Sequence, residues 1–486
     1  MSTLLSRLFA VRSVDSIVKE LQTGPELKRV LGVGALTAIG RGSTIGTGVF
    51  ILTGTVAAEH AGPALTISLL IAAIGSAFAA ICYAEFAAMI PVCGSAYTYA
   101  YATLGEAVAW IIGWNLSLEY MMSASAVAVG WSEYVVNILG EWGIHLPKVL
   151  TSAPFDKGPT GHLTTTGAIV NLPAVAIIVA MGWILYVGVK QSSFANTIMV
   201  IVKVAVILLF IFAGIAYVDT SNWHPYLPPN TGTFGQFGWS GVLQGAGIIF
   251  FSYIGFDAAS TTAREARNPQ RDLPLGILAT LIISSVLYMG MAMVMTGMVP
   301  FMKLGAAAPV AVALDAHPQL AWLGVLVKVG AIAGMTSVIL MSLLGQPRIL
   351  LSMADDGLVP PGMRAIHPKY RTPHVATVVT TIGAALFAGL FPLNVLGELI
   401  SIGILLAFTV VCIGVLVLRY TRPDFVRPFR VPWAPVTCVL GAAICGGMTY
   451  FLPADTWWRL AIWSALGFSF YGFYGYKHSR LRAQGR

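Results

Sequence analysis

The segment GRGSTIGTG (residues 40–48) places four glycines among nine residues in the middle of a long apolar run. A second segment, GAGIIFFSYIGFD (residues 245–257), interrupts another apolar run in the same way. Glycine lowers helix stability and permits backbone torsions outside the helical region. At membrane depth, such backbone is tolerated only where it lines a buried or wet cavity. The two segments therefore predict interrupted helices around a binding site; the alternative is glycine-mediated packing of intact helices.

Composition supports a membrane setting for both segments. Of the 486 residues, 57% are apolar and only 10% are charged, against about 25% charged in a typical soluble domain. A spanning helix needs about 20 apolar residues. Twelve runs of that kind fill the chain, at 30–55, 64–90, 106–138, 167–188, 194–218, 240–264, 273–299, 320–350, 373–391, 394–418, 433–452 and 456–476. The sequence thus predicts an all-α membrane protein with twelve transmembrane helices, in which the first and sixth are interrupted.

The distribution of basic residues predicts the orientation. On the side that carries both termini, the connections and tails hold 21 Lys and Arg, and the opposite side holds four. Basic loops remain in the cytoplasm, so both termini are expected there, in a multi-pass protein of the inner (plasma) membrane. Residues 1–29 and 477–486 form the cytoplasmic tails. The net charge of +8 then reflects topology, and no nucleic acid partner is expected.

The chemistry of an interrupted helix suits a zwitterion. Free N–H groups at the start of a half-helix attract a carboxylate, through the helix dipole and the unpaired donors. We expect the amides of Gly46, Thr47 and Gly48 to hold that carboxylate. Freed carbonyls near Phe251, Ser252 and Ile254 are expected to hold an ammonium group. An amino acid would replace the hydrogen bonds that the interruptions give up.

Several longer stretches carry a family resemblance. They are GSTIGTGVFILTG (42–54), YAEFAAMIPVCGSAYTYAY (83–101), GWNLSLEYMMSASAVAVGWS (113–132), FFSYIGFDAASTTAREARNPQRDLP (250–274), RILLSMADDGLVP (348–360) and LGELISIGILLAF (396–408). With them the chain resembles the amino acid–polyamine–organocation superfamily, and within it the bacterial members of the cationic amino acid transporter branch. The resemblance implies a five-plus-five inverted repeat fold of the leucine-transporter type. Residues 30–218 would form the first repeat, 240–418 the second, and 433–476 two additional C-terminal helices.

The resemblance also implies a set of substrate-binding residues. They are Thr44, Gly46, Thr47 and Gly48 on the first helix, Glu119 on the third, and Phe251, Ser252, Ile254 and Asp257 on the sixth. Three positions depart from the family pattern, at Arg41, Cys93 and Ile404. None of them alters the Gly-Thr-Gly segment of the first helix.

Lys203 is a charged residue inside the fifth apolar run. A charge at the bilayer centre costs at least about 2.5 kcal/mol, so it needs a partner, a function or a route back to the interface. Snorkelling of the lysine stem is the alternative interpretation. Some proton-coupled relatives carry a lysine here. If two gate states differ in hydration around Lys203, its proton affinity differs as well, and proton binding biases alternating access.

These observations predict a secondary active permease for a small neutral or cationic L-amino acid, with proton-coupled symport. The alternatives are an exchanger or facilitator independent of sodium and protons, and, in another class, an ion channel. No enzymatic activity, cofactor or metal is expected, because the eight histidines are scattered and the cysteines lack metal-ligand spacing. The sequence leaves open which amino acid is carried, the proton stoichiometry, the oligomeric state, the role of Arg41 and whether a small single-span membrane partner binds.

Overall fold

The computed structural model describes residues 10–12, 31–90, 95–157, 163–187, 192–261, 263, 266–306, 308–452 and 454–483. Most of the N-terminal tail and Cys93 lie outside this described part. Within it the chain is mostly helical, as the apolar runs predict.

The α-helices, in chain order, are α1 (Val33–Thr44), α2 (Thr53–Val56), α3 (Leu65–Met89), α4 (Ser95–Thr103), α5 (Glu106–Glu141), α6 (Leu172–Val187), α7 (Ser192–Gly214), α8 (Gly238–Ile249), α9 (Ala258–Thr261), α10 (Pro269–Met298), α11 (Pro309–Asp315), α12 (Ala321–Asp355), α13 (His374–Leu390), α14 (Leu393–Thr421), α15 (Ala434–Tyr450), α16 (Ala454–Phe470), α17 (Tyr476–His478) and α18 (Arg480–Ala483). Strands β1 (Phe155–Lys157) and β2 (Leu163–Thr165) form an antiparallel hairpin in which Phe155 pairs with Thr165.

Among the described residues, five helical stretches are long and apolar enough to cross a membrane. They are Gly48–Met89, Asn196–Tyr217, Pro269–Met298, Pro318–Asp355 and Val395–Thr421. The apolar helices α6, α13 and α15 have 16 or 17 residues, fewer than the roughly 20 that span a bilayer without help from their flanks. The structure therefore contains several helices capable of spanning a membrane, and the count of twelve stays a prediction.

Several of the exposed tryptophans fit a membrane setting. Trp142 follows the last residue of α5, Trp239 and Trp322 are the second residues of α8 and α12, and Trp458 is the fifth residue of α16. Tryptophan concentrates at membrane–water interfaces because its ring is apolar and its N–H group is polar. The charge count predicts that these four helix ends face the outside, where the four residues would lie in one interfacial belt.

The interrupted helix α1 lies at the centre of the packing. It contacts α7, α10 and α12, while α5 packs along α12 and α14. Glycines permit this close approach: a Cβ added to Gly40 would lie 2.4 Å from Thr280 Oγ1, and one added to Gly345 would lie 2.5 Å from the Tyr120 ring. In lipid, such contacts between small residues supply much of the packing energy.

Three local features refine the sequence prediction. The stretch 306–316 is too short to span a membrane and predicts a small helix, which the structure contains as α11, Pro309–Asp315. The hairpin β1–β2 and the helix α4 are additions that no helical run predicted. The hairpin is the one departure from an all-α fold in the described part of the chain, and it lies in a polar connection outside the predicted spans.

Candidate substrate site at two interrupted helices

The first interruption lies between α1 and the helical turn that follows it. Helix α1 ends at Thr44, and Ile45 has extended torsions of φ −81° and ψ 104°. A π-helical turn then begins at Gly48. The N–H groups of Val49 and Phe50 donate to the Gly46 carbonyl. The first amides of any helix have no acceptor within that helix, so the amides at this start are available to a ligand, and their predicted binding of a carboxylate stays a prediction.

The second interruption follows α8. After Ile249 the chain makes a 3₁₀ turn over Phe250–Tyr253 and an irregular turn over 254–257, and helix α9 begins at Ala258. Gly255 has φ +111°, a left-handed torsion that favours glycine. The Gly255 N–H group donates to Asp257 Oδ1 at 3.3 Å. Both helices are therefore broken at the positions where glycine patterning predicts it.

The two interruptions touch each other through their backbones. A Cβ added to Gly48 would lie 2.6 Å from Ser252 Cα, and one added to Gly255 would lie 2.7 Å from the Ser43 carbonyl carbon. Contacts that close leave no room for a side chain at either glycine. The broken segments form one continuous patch of irregular backbone.

Two small cavities adjoin this patch, each of about 10 Å³. The first is lined by Ser43, Thr44, Gly46, Thr47, Gly48, Ser123, Val127, Ile254 and Val338. The second is lined by Ser43, Glu119, Tyr120, Ser123, Ile254, Gly255, Asp257, Ala258 and Ser342. A cavity of that volume holds about one water molecule. An amino acid can enter only if the surrounding helices separate, so the structure shows the compact form of the site.

Most of the predicted binding residues meet at these cavities. Thr44, Gly46, Thr47, Gly48 and Ile254 line the first, and Glu119, Ile254 and Asp257 line the second. Ser252 is buried against Gly48, and the side chain of Phe251 lies outside the described part of the structure. The structure brings these residues together, and their role in binding stays a prediction.

Sequence reasoning missed part of the cavity wall. Ser43 lies inside the glycine segment 40–48, but it is not among the predicted binding residues. Ser123, on the third run, and Val338 and Ser342, on the eighth, carry no local signal because both runs are apolar along most of their length. They reach the site because α12 packs against α1 and also along α5.

Two carboxyl groups face the second cavity. Glu119 is 2% exposed, and its Oε2 has no hydrogen-bond partner among the described atoms. Asp257 is 1% exposed and accepts a hydrogen bond from the Tyr120 hydroxyl at 3.2 Å. No ion pair of either acid is present among the described residues. A buried carboxyl group is costly without a partner, so this wall suits a cationic group.

Lys203 ties the first interruption to two neighbouring helices. The side chain is fully buried on α7. Its Nζ donates to the carbonyls of Gly42 and Ile45, each at 2.8 Å, and to Ser337 Oγ at 2.9 Å. Snorkelling toward the interface is therefore the wrong interpretation: the side chain points inward. An ammonium group has three N–H donors, and here three acceptors meet them.

Known transport proteins are similar in sequence to this chain along most of its length. A sequence profile described as "Amino acid permease" matches residues 31–473. The chain is 43% identical to the methylthioribose transporter of Bacillus subtilis over 477 residues, covering 98% of this chain and 100% of the relative. It is also 43% identical to the branched-chain amino acid permease BcaP of the same organism over 475 residues, with 98% and 99% coverage. The vacuolar cationic amino acid transporter 2 of Arabidopsis thaliana is 43% identical over 403 residues, which are 82% of this chain and 61% of the relative.

Proposed function

The chain belongs to the amino acid permease family of integral membrane proteins, and from that premise we propose that it carries a small neutral or cationic L-amino acid by alternating access, as a proton-coupled symporter. The contact between the two interrupted helices carries this proposal. Unpaired amides before Val49 would hold the substrate carboxylate, and the irregular backbone around Ser252 and Ile254 would hold its ammonium group. An amino acid supplies both charges at a fixed separation.

Alternating access needs a closed contact on each side of the site. On the side of the termini, the Arg267 N–H group donates to the Leu31 carbonyl at 2.8 Å. On the opposite side, the Tyr134 hydroxyl donates to the Phe50 carbonyl at 3.1 Å. Each contact joins an interrupted helix, or the segment beside it, to a neighbour. We infer that transport opens these two contacts in turn, while the other stays closed.

Lys203 offers a route from protonation to this movement. The charged amine donates to the Gly42 carbonyl within α1, to the Ile45 carbonyl just after α1, and to the Ser337 hydroxyl on α12. A neutral amine has only two N–H groups and a lone pair, so the third acceptor would lose its donor and face that lone pair instead. Loss of the proton therefore weakens the tie between α1 and its neighbours. Proton binding and helix position become linked through one side chain.

Domain organisation and location complete the proposal. Residues 30–218 and 240–418 would be the two inverted repeats, each beginning with an interrupted helix, and residues 433–476 would lie outside them. The N-terminal tail 1–29 and the C-terminal tail 477–486 would face the cytoplasm from the plasma membrane. The family supports amino acids as substrates in general, and so do two of the three relatives: BcaP is named for branched-chain amino acids and the plant protein for cationic ones, whereas the third is named for methylthioribose.

A counterflow panel in proteoliposomes tests the proposed function. The purified full-length chain is reconstituted, and uptake of each of the twenty amino acids is measured with and without an imposed pH gradient. We expect saturable counterflow for a small set of amino acids, and accumulation above equilibrium only with the gradient. Counterflow without accumulation would favour the exchanger or facilitator. Flux that neither saturates nor shows counterflow would favour a channel.

We further expect Glu119→Gln to lower transport of arginine and lysine more than transport of alanine. The change keeps the shape of the side chain and removes one negative charge from the wall of the second cavity. Asp257 is then the remaining acid of that wall. The loss of one buried charge pairing corresponds to about 1.5–3 kcal/mol, or roughly 10- to 150-fold in kcat/KM. Glu141→Gln is the control, because Glu141 pairs with Lys328 away from the cavity. Equal losses for neutral and cationic substrates would contradict the assignment.

A further inference from the structure

A much larger cavity lies beside the connection that follows α5, away from the interrupted helices. We call it the outer chamber. Its volume is about 770 Å³, within the range of small-molecule sites. The end of α5, the connection that contains β1, the helix α11 and the start of α14 enclose it. By the predicted orientation it faces the outside.

The outer chamber is separate from the candidate substrate site but close to it. Its lining residues share no member with those of the two small cavities. Val127 lines the first small cavity and Val129 lines the outer chamber. These two residues lie two positions apart on α5. Residues two apart on a helix point in nearly opposite directions, so the two cavities border neighbouring turns of α5 on different faces.

Charged residues in the outer chamber are mainly acidic. Among its described lining residues are the three acids Glu133, Asp156 and Asp315 and the single base Lys148. The rest of the wall is largely apolar, with Val129, Val136, Val149, Val312 and Leu393. A cavity with these walls favours a cation that also carries an apolar body.

Glu133 points to a specific ligand group. It lines the chamber, and its Oε2 is buried without a hydrogen-bond partner among the described atoms. A buried carboxylate oxygen with no partner costs free energy that a charged donor would recover. The described residues contain no group of three or more His, Cys, Asp or Glu that could hold a metal ion. A single ammonium group meets the need of one carboxylate.

We propose that the outer chamber is a second binding site, in which Glu133 binds a primary ammonium ion while the valine-rich wall holds its apolar body. On the proposed function, the natural ligand is an amino acid on its way to the interrupted helices. The site itself requires only the ammonium group and an apolar body, so it can be tested without transport.

Protection of an engineered cysteine from labelling tests the proposal. Ser152 is exposed and lines the chamber, and Ser152→Cys is made in the full-length protein with Cys93 replaced by serine. The other four cysteines are buried. We expect n-butylammonium to slow maleimide labelling at position 152, and n-butanol, which has the same apolar body without charge, to leave the rate unchanged.

The matched variants are Glu133→Gln and Glu59→Gln. Glu59 is an exposed acid that is not part of the chamber lining. We expect Glu133→Gln to raise the half-protecting concentration of n-butylammonium about tenfold or more, and Glu59→Gln to leave it unchanged. Equal protection in the wild type and in Glu133→Gln, or no protection in either, would overturn the proposal.

The same assay separates this proposal from the transport proposal. Labelling needs no substrate movement, so a failed counterflow panel leaves the chamber result valid. Conversely, Gly48→Ala should obstruct the interrupted helices and still retain protection by n-butylammonium. Loss of protection in that variant would assign the effect to the inner site and contradict a separate chamber.

Discussion

Lys203→Ala is expected to abolish accumulation driven by a pH gradient. The variant removes the ammonium group that donates to the carbonyls of Gly42 and Ile45 and to Ser337 Oγ, and it leaves the hydrogen bond from Ser337 Oγ to the Gly42 carbonyl at 3.1 Å. A gradient of one pH unit corresponds to about 1.4 kcal/mol and supports about tenfold accumulation with one coupled proton. In the variant the ratio of inside to outside substrate should fall to one. The measurement is uptake of radiolabelled substrate into proteoliposomes with an imposed gradient.

Lys328→Ala is the matched control for this experiment. Lys328 is also a buried lysine, but it pairs with Glu141 on α5, and no hydrogen bond or ion pair among the described residues joins it to the interrupted helices. We expect it to retain accumulation, apart from any loss of stability that a thermal unfolding curve would reveal. Counterflow should survive in Lys203→Ala if the helices still separate, since exchange needs no proton. Accumulation at the wild-type level in Lys203→Ala would remove Lys203 from the coupling mechanism.

Gly48→Ala is expected to produce the second large effect, a loss of transport in every mode. The new methyl group would lie 2.3 Å from Ser252 Oγ and 2.6 Å from Ser252 Cα, so the backbones of the two interruptions must separate. Overpacking of this kind costs about 1–3 kcal/mol, which corresponds to roughly 5- to 150-fold in rate or affinity. Counterflow and substrate binding should fall together, because both require the same backbone geometry.

Gly34→Ala controls for the general effect of alanine in this helix. Gly34 lies in α1, and a Cβ added there meets nothing within 4 Å. Replacement of an exposed helical glycine by alanine stabilises a helix by up to about 1 kcal/mol, so transport should stay near the wild-type level. If Gly48→Ala transports as well as Gly34→Ala, the contact between the interruptions is not needed for function.

The outer chamber and the second small cavity are each lined by one acid of α5. Glu133 and Glu119 both lie on α5, both are acids with an unpartnered buried oxygen among the described atoms, and they face different cavities. At 1.5 Å per residue the two acids lie about 21 Å apart along the helix axis, so one ammonium group cannot contact both. The labelling experiment tests Glu133 and the transport experiment tests Glu119, and neither result depends on the other.

The sequence by itself determined the class of protein and the place of the interruptions. The charge deficit and the apolar runs indicate a membrane, because both depend only on composition along the chain. The glycines at 40–48 and 245–255 predict helix breaks, because torsional freedom is a local property of each residue. The inward lysine at 203 was also identifiable, since a charge inside an apolar run needs an explanation.

Only the tertiary structure decided which partners meet. Ser337 lies 134 positions from Lys203 along the chain, and Glu119 reaches the cavity beside Asp257 because its neighbour Tyr120 on α5 donates to Asp257. The outer chamber is formed by four segments that share no sequence pattern. Contacts of this kind depend on how helices cross and on how closely glycines let them approach. That information resides in the packing of distant segments, and no local period along the chain encodes it.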